Sequence, residues 1–553
     1  VEQPLYDDKQ INNRLNGVEE LVKNIIVRDN LNTLLNSVYD IERLCGKVSY
    51  GNLTPKDCVA LKNSLGVLPK IKENISLLKS TIIKNITKDI FDYSQIYSML
   101  DSAIIENPPY LLKDGGYIKK GYSKELDEIS NISTVGKSWL ATLEATEKEE
   151  TGIKNLKIGY NSVFGYFIEV PKSQINLVPF RYQRKQTIAN AERYITEELK
   201  EMENKILHAE DQKIALENKL FQEIRQVLLE NVTAMQKTAR QIAVLDALLS
   251  LAKVACEKNY CKPTLSKDIN KIEIINGRHP VVEALLKEED FVPNDTLLDS
   301  ADNRTMIITG PNMAGKNTYM RQVALITLMA HIGSFVPADK ANISLTDKIF
   351  TRVGASDDLA FGQSTFMVEM SEVSNILKQA TNNSLIVLDE VGRGTSTFDG
   401  LSIAWSVMEY LSKTLKAKTL FATHYHELTD LEGILDGVKN YRINVKEFND
   451  TIIFLRKIVR GGANKSFGIE VAKLAGLPKD VIVRAKEILH TLEENDINKN
   501  SSLTQINDMS ATIKKSKVSQ EVISILSDIN VDNLTPLNAF DIILQLTDKL
   551  KKE

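Results

Sequence analysis

The stretch GPNMAGKNT, residues 310–318, has the spacing of a phosphate-cradling loop, G-x-x-x-x-G-K-[ST], with one departure. Gly310 and Gly315 let backbone N–H groups turn toward an anion, and Lys316 reaches the outer phosphates of a nucleotide. Pro311, Asn312, Met313 and Ala314 fill the loop and Thr318 follows it. The hydroxyl position that would ligate Mg²⁺ between β- and γ-phosphates carries an amide, Asn317. A second constellation, LIVLDE (385–390), reads as a buried strand ending in two acids. Asp389 suits the water shell of Mg²⁺, and Glu390 suits orienting or deprotonating an attacking water. In LFATHYHEL (420–428) another strand ends at His424, whose imidazole could sense a γ-phosphate. In FGQSTFMVEMSEVSNIL (361–377) Ser364 stands just ahead of an amphipathic helix. There it reads as an N-cap, an anion contact, or both.

These groups need a sheet that brings several strand ends to one edge. After KPTLS (262–266) the chain alternates MIITG strand, loop, helix; SLIVLDE strand, loop, helix; KTLFATH strand. Such βαβ units predict a largely parallel sheet. Upstream, residues 1–148 carry apolar residues at helical spacing, and 151–174 turns aromatic and β-branched around Gly159 and Gly165, predicting short strands. From 191 to about 256 a long helical pattern returns, long enough to be a lever or coiled arm rather than a compact bundle. Two short helices are expected around GLPKD, then an Asn/Ser/Lys-rich linker over 493–515 and a helical tail.

At 553 residues several domains are required. The net charge of -4 gives no global attraction to nucleic acid, so such a partner must meet a local patch. Between Pro171 and Ala191 lie Lys172, Arg181, Arg184 and Lys185 with no acid among them, and Arg193 follows. Asn190 and neighbouring amides add neutral donors, so the segment reads either as a phosphate-contacting patch or as a solvated charged face. The longest apolar run, VALITLMAHIG (323–333), is too short to span a bilayer. The four cysteines lack metal-ligand spacing and suit a cytoplasmic protein.

Together GPNMAGKNTYMRQVALI, FGQSTFMVEMSE, LDEVGRGTSTFDGLSIAW and FATHYHEL resemble the ATPase domain of the MutS family of DNA mismatch repair proteins, relatives of ABC-type ATPases. The resemblance extends through NGRHPVVE (276–283), GGANKSFGIEVAKLAGLP (461–478), YNSVFGYFIEV and RKQTIANAERYITEELKE (184–201), the last two like the clamp of the mismatch-recognising branch. It implies a multidomain chain: helical core and first lever (1–148), a small β-rich DNA clamp (149–197), a second lever returning to the core (198–262), an α/β P-loop ATPase domain (263–466), a helix-turn-helix dimerisation element (467–492), a flexible linker (493–517) and a C-terminal helical oligomerisation segment (518–553).

By position it also implies that Phe291 stacks on adenine, that Asn312 and Lys316 contact phosphates, that Ser364 completes a partner subunit's site, and that His424 senses the γ-phosphate. The implied cofactors are ATP or ADP with Mg²⁺. The implied partners are duplex DNA, a second copy or a tetramer, and a MutL-type repair protein, with no membrane. Family members begin with a mismatch-binding domain bearing a Phe-x-Glu wedge and then a connector, so the chain is expected to be a fragment. Its two Phe-x-Glu tripeptides, Phe167–Glu169 and Phe221–Glu223, lie in strand-like and helical segments and read as coincidence. Two alternatives stay open: another ABC-type ATPase, or a DNA-binding and dimerisation module that Asn317 keeps from hydrolysing ATP.

Overall fold

The computed structural model of the chain describes residues 2–161, 163–286, 290–311, 314–352, 365–448, 451–462 and 468–491. Six helices between Asp8 and Ala103 start where the sequence supplies caps. Asp7 accepts from the Lys9 N–H and Asp40 from that of Arg43, while Thr54 and Asp57 form a reciprocal capping box with Pro55 at the first helical position between them. Their apolar faces, among them Leu15, Leu44, Leu61 and Ile71, are sealed from solvent.

A 28-residue helix (Lys124–Thr151) then runs outward and a 34-residue helix (Glu197–Glu230) runs back beside it. At a rise of 1.5 Å per residue they are about 42 and 51 Å long. They pack tightly where Gly136 faces Ile206, since a Cβ on that glycine would lie 2.5 Å from the isoleucine side chain. Between them sits a four-stranded antiparallel sheet of β1 (Lys157–Asn161), β2 (Gly165–Pro171), β3 (Gln183–Thr187) and β4 (Ala191–Ile195), in the order β1-β2-β4-β3.

The helical reading of 191–256 is therefore corrected at two points. Residues 191–195 form β4, whose Ala191 and Tyr194 are buried between β2 and β3, and the helix begins only after Thr196, which caps the Leu199 N–H. It stops again at Asn231, and a separate helix (Val232–Glu257) buries Met235, Leu245 and Leu248 in the helical core.

The rest is built on two sheets. In chain order the strands are β5 (Thr264–Ser266), β6 (Ile272–Gly277), β7 (Asn294–Leu298), β8 (Thr305–Thr309), β9 (Lys340–Ser344), β10 (Ile349–Arg352), β11 (Leu385–Asp389), β12 (Lys418–Thr423), β13 (Val438–Phe448) and β14 (Thr451–Arg460). The larger sheet has the order β10-β11-β12-β8-β13-β14 and is parallel except for β14. Strands β8, β11 and β12 are buried over their whole length, which explains their unbroken apolar runs. The helices Lys316–His331, Thr365–Gln379 and Thr397–Tyr410 pack on it. The smaller sheet, β5-β9-β6-β7, has no counterpart among the strands expected from the sequence.

Helices at Gly468–Leu474 and 479–491 are tied by Lys486 and Glu470, 2.7 Å apart, and leave Leu477, Val481, Val483 and Ile488 exposed. The linker and tail expected over 493–553 lie outside the described residues. Among the described residues no helix is long and apolar enough to cross a membrane, and no cluster of three or more His, Cys, Asp or Glu could hold a metal.

Candidate nucleotide site

Because β11, β12 and β8 are adjacent and parallel, their carboxyl ends share one edge of the sheet, the usual place for a ligand in an open α/β fold. Three sequence signals converge there. Gly310 leaves β8 with φ +132° and Gly315 precedes the helix with φ +106°, a region that favours glycine. Lys316 follows, fully buried, and its Nζ donates to the Gly310 carbonyl and lies 4.0 Å from Glu390 Oε1. Burial pushes this ammonium below the usual lysine value, while Glu390 and Asp389 pull it partly back.

Asp389 closes β11 almost fully buried, and burial, with Glu390 beside it, raises its carboxyl to about 6. Glu390 takes the left-handed region at φ +51°, uncommon for a side-chain-bearing residue, and its N–H donates to the Ala422 carbonyl at 2.9 Å. That twist sets the carboxylate beside Lys316 on one side and Arg393 Nη1, at 2.6 Å, on the other. His424 follows β12, exposed, with its ring 4.1 Å from that of Tyr425. Surrounding protein holds its imidazole below the ordinary value, with Glu390 opposing and Lys316 adding to that shift.

Two oxygens at this edge are buried and have no hydrogen-bond partner among the described residues: Asn317 Oδ1 and Asp389 Oδ1. A hard cation such as Mg²⁺ takes oxygen donors of this kind, so the donor chemistry fits one. The amide oxygen is neutral and extends further from the backbone than a hydroxyl. Beside the loop lies a pocket of about 230 Å³ whose lining includes Val282, Phe291, Asn294, Thr318 and Gln322. Half-buried Phe291 thus stands beside the helix that begins at Lys316, in a pocket shared with Gly315 and Thr318. Asn312, Met313 and Ser364 lie outside the described residues.

Several supporting residues carry no signal in the sequence. Glu369 accepts from the Gly392 N–H at 2.7 Å and pairs with Arg352 at 3.4 Å, and the Tyr425 hydroxyl donates to the Gly392 carbonyl at 3.0 Å. They brace the turn after Glu390, where Gly392 and Gly400 pack too closely for a side chain. Their partners are distant in sequence, so spacing could not have found them.

The basic segment needs correction. It lacks acids in sequence, but the fold supplies them. Arg181 pairs with Glu147 and Glu150 on the first lever, 2.7 Å from each, Arg184 with Glu192 at 3.5 Å, and Arg193 with Glu169 at 3.0 Å. The Arg193 guanidinium also stacks 4.1 Å from the Phe167 ring centre. Lys185 donates to the Phe164 carbonyl, and exposed Lys172 and Asn190 meet backbone to backbone at 3.2 Å. The face is zwitterionic rather than a bare positive patch. Phe167 and Phe221 are both buried, so neither tripeptide presents a wedge.

Residues 1–252 match the family described as MutS domain III, and residues 306–493 match MutS domain V. A DNA mismatch repair protein MutS from Clostridium tetani (strain Massachusetts / E88) is 53% identical over 576 residues, covering 100% of this chain and 65% of that protein. One from Clostridium kluyveri (strain ATCC 8527) is 53% identical over 564 residues with the same coverage. One from Clostridium botulinum (strain Hall) is 58% identical over 505 residues, 90% of this chain and 54% of that protein. The chain thus spans less than two thirds of the length of each of these relatives, 65% of the first two and 54% of the third.

Proposed function

The chain belongs to the MutS family of DNA mismatch repair proteins, and from that premise we propose that it is a nucleotide-gated DNA-binding module whose ATP hydrolysis is weakened at Asn317. The observation that carries the reading is the convergence of buried Lys316, the twisted Glu390 and the Phe291 pocket on one sheet edge. In this reading the loop N–H groups and Lys316 bind the phosphates of ATP or ADP, Phe291 stacks on the base, and Glu390 takes the proton of the attacking water. Lys316 neutralises the charge that Glu390 and the phosphates bring together in a water-poor site. Mg²⁺ held by Asp389 and Asn317 would supply further neutralisation of the outer phosphates. His424 donates toward the γ-phosphate once protonated.

The proposed site is composite. Ser364 of a second copy completes it, and the exposed apolar residues of the 468–491 helices support that copy's docking. The C-terminal segment extends the dimer to a tetramer, and a MutL-type protein acts downstream in the cytosol. The sheet of residues 157–195 contacts duplex DNA through phosphates, without sequence preference. Binding of a fluorescent ADP analogue, compared with ATP turnover, tests the reading. Absence of nucleotide binding at any practical concentration overturns it.

The reading that hydrolysis is crippled while binding survives is favoured by one detail. The phosphate loop keeps both left-handed glycines and the lysine, and only the hydroxyl is replaced.

A further inference from the structure

At the floor of the pocket beside the phosphate loop, Gln322 is completely buried, and neither its Oε1 nor its Nε2 has a hydrogen-bond partner among the described residues. Sealing both halves of an amide from water without a partner costs stability, so a residue held in that state points to a ligand. The surroundings are shaped around it. A Cβ on Gly277 would lie 2.6 Å from Gln322 Nε2, and φ at Gly277 is ordinary, so glycine there makes room for the amide rather than for a turn. Gly277 belongs to NGRHPVVE, a motif that the phosphate chemistry leaves unexplained. Asn294 beside it is already committed, its Nδ2 donating to the Arg456 carbonyl at 2.9 Å and its Oδ1 accepting from the Ile458 N–H at 2.8 Å.

Gln322 is six residues beyond Lys316 on one helix, roughly 9 Å along the axis, so it sits well beyond the phosphate end. We infer that the Gln322 amide is the base-specificity determinant of the nucleotide site, reading the 6-amino and N7 edge of adenine. The inference rests on the nucleotide reading above. A carboxamide matches that edge with one donor and one acceptor, whereas the same edge of hypoxanthine offers two acceptors and leaves one half of the amide unpaired. Because the amide is sealed, the base shifts wall side chains such as Phe291 to reach it, and the pair forms out of water, where a mismatch is most costly.

Calorimetric titration of the full chain with ADP, IDP and 7-deaza-ADP tests this. The native chain is expected to bind ADP about tenfold more tightly than either analogue. Gln322→Leu, which keeps the volume and removes the buried amide, should hold its thermal midpoint without nucleotide and bind all three diphosphates within about twofold of each other. Gln322→Glu keeps the acceptor for the 6-amino group and loses the donor to N7. Its second oxygen then faces the N7 lone pair, so it should bind 7-deaza-ADP at least as tightly as ADP while still disfavouring IDP. Equal binding of the three by the native chain, or native ratios in Gln322→Leu, overturns the inference. If no diphosphate binds the native chain, the nucleotide reading itself fails. If the analogues bind equally while Phe291→Ala weakens all of them together, only the role of Gln322 fails.

Discussion

The Lys316 ammonium lies 4.0 Å from the Glu390 carboxylate, although the two residues belong to strand ends separated in the sheet by β12. The lysine has no contact with solvent, and Glu390 reaches it from a left-handed backbone. On the proposed reading, a charge held this way serves a ligand and not stability. The lysine's folded-state value is depressed by burial, so folding is penalised wherever the unfolded chain would keep it protonated.

Lys316→Met should therefore raise the thermal midpoint at pH 7, an advantage that shrinks as the pH approaches the ordinary lysine value of about 10.4. The same substitution should remove ADP binding. A variant that is destabilised and still binds ADP, read from a melt and a titration, would contradict both expectations.

Asp389 carries the opposite sign. Its carboxyl is raised to about 6 by burial and by Glu390, above the unfolded value of about 3.9. The stability it contributes is fully present below the unfolded value and is lost as pH rises through about 6. Ionised Asp389 at pH 8 thus costs on the order of 2–3 kcal/mol in the absence of a cation. Asp389→Asn should be more stable than the native chain at pH 8, with the difference closing near pH 4. Adding ADP with Mg²⁺ at pH 8 should raise the native midpoint more than that of Asp389→Asn. Denaturation at the two pH values measures both.

What the sequence makes legible follows from how local each cause is. The phosphate loop, the buried runs of β8, β11 and β12, and the caps at Asp7, Asp40 and Thr54 are encoded within a few neighbouring residues. Strand β4 is hidden because ERYITEELKE reads through from strand to helix with no glycine or proline. Only pairing with β2 and β3 and the cap at Thr196 fix the boundary. Gln322 gives no warning either. A glutamine on an amphipathic helix reads as a surface residue until β6 and β7 close over it. The acids that neutralise Arg181 come from a helix more than thirty residues upstream, which no scan of the basic segment itself could count.

On the proposed reading, one substitution at Asn317 separates binding from turnover. Thr318 cannot replace the absent hydroxyl, being about 100° further round the helix, and it lines the pocket beside Phe291 instead. Asn317→Ser should raise Mg²⁺-dependent ATP turnover by tenfold or more, by analogy with the effect of deleting one transition-state hydrogen bond, while ADP affinity changes by less than about threefold. Triphosphate affinity should rise more than diphosphate affinity, because the restored ligand acts between β- and γ-phosphates. Equal turnover in the two proteins, measured as phosphate release, would refute the assignment.

The proposed DNA face gives the last prediction. With Arg181, Arg184 and Arg193 in ion pairs, each must give up a carboxylate to meet a phosphate, so duplex binding should be weak and strongly salt-sensitive. Arg184→Ala with Lys185→Ala should lower affinity for matched and mismatched duplexes alike. Each DNA phosphate that the variant no longer neutralises should flatten the log-log salt dependence by roughly one unit. Glu150→Gln should act in the other direction. Glu150 is exposed and pairs with Arg181 at 2.7 Å, so its neutralisation frees part of that guanidinium without disturbing buried Glu147. Discrimination of a mismatch requires a wedge that unstacks a deformable base step, and both candidate phenylalanines are buried. Fluorescence anisotropy over a salt series separates these outcomes. Several-fold preference for a G·T duplex at constant salt, or a Glu150→Gln affinity below that of the native chain, would show that phosphate contacts by these residues do not govern binding.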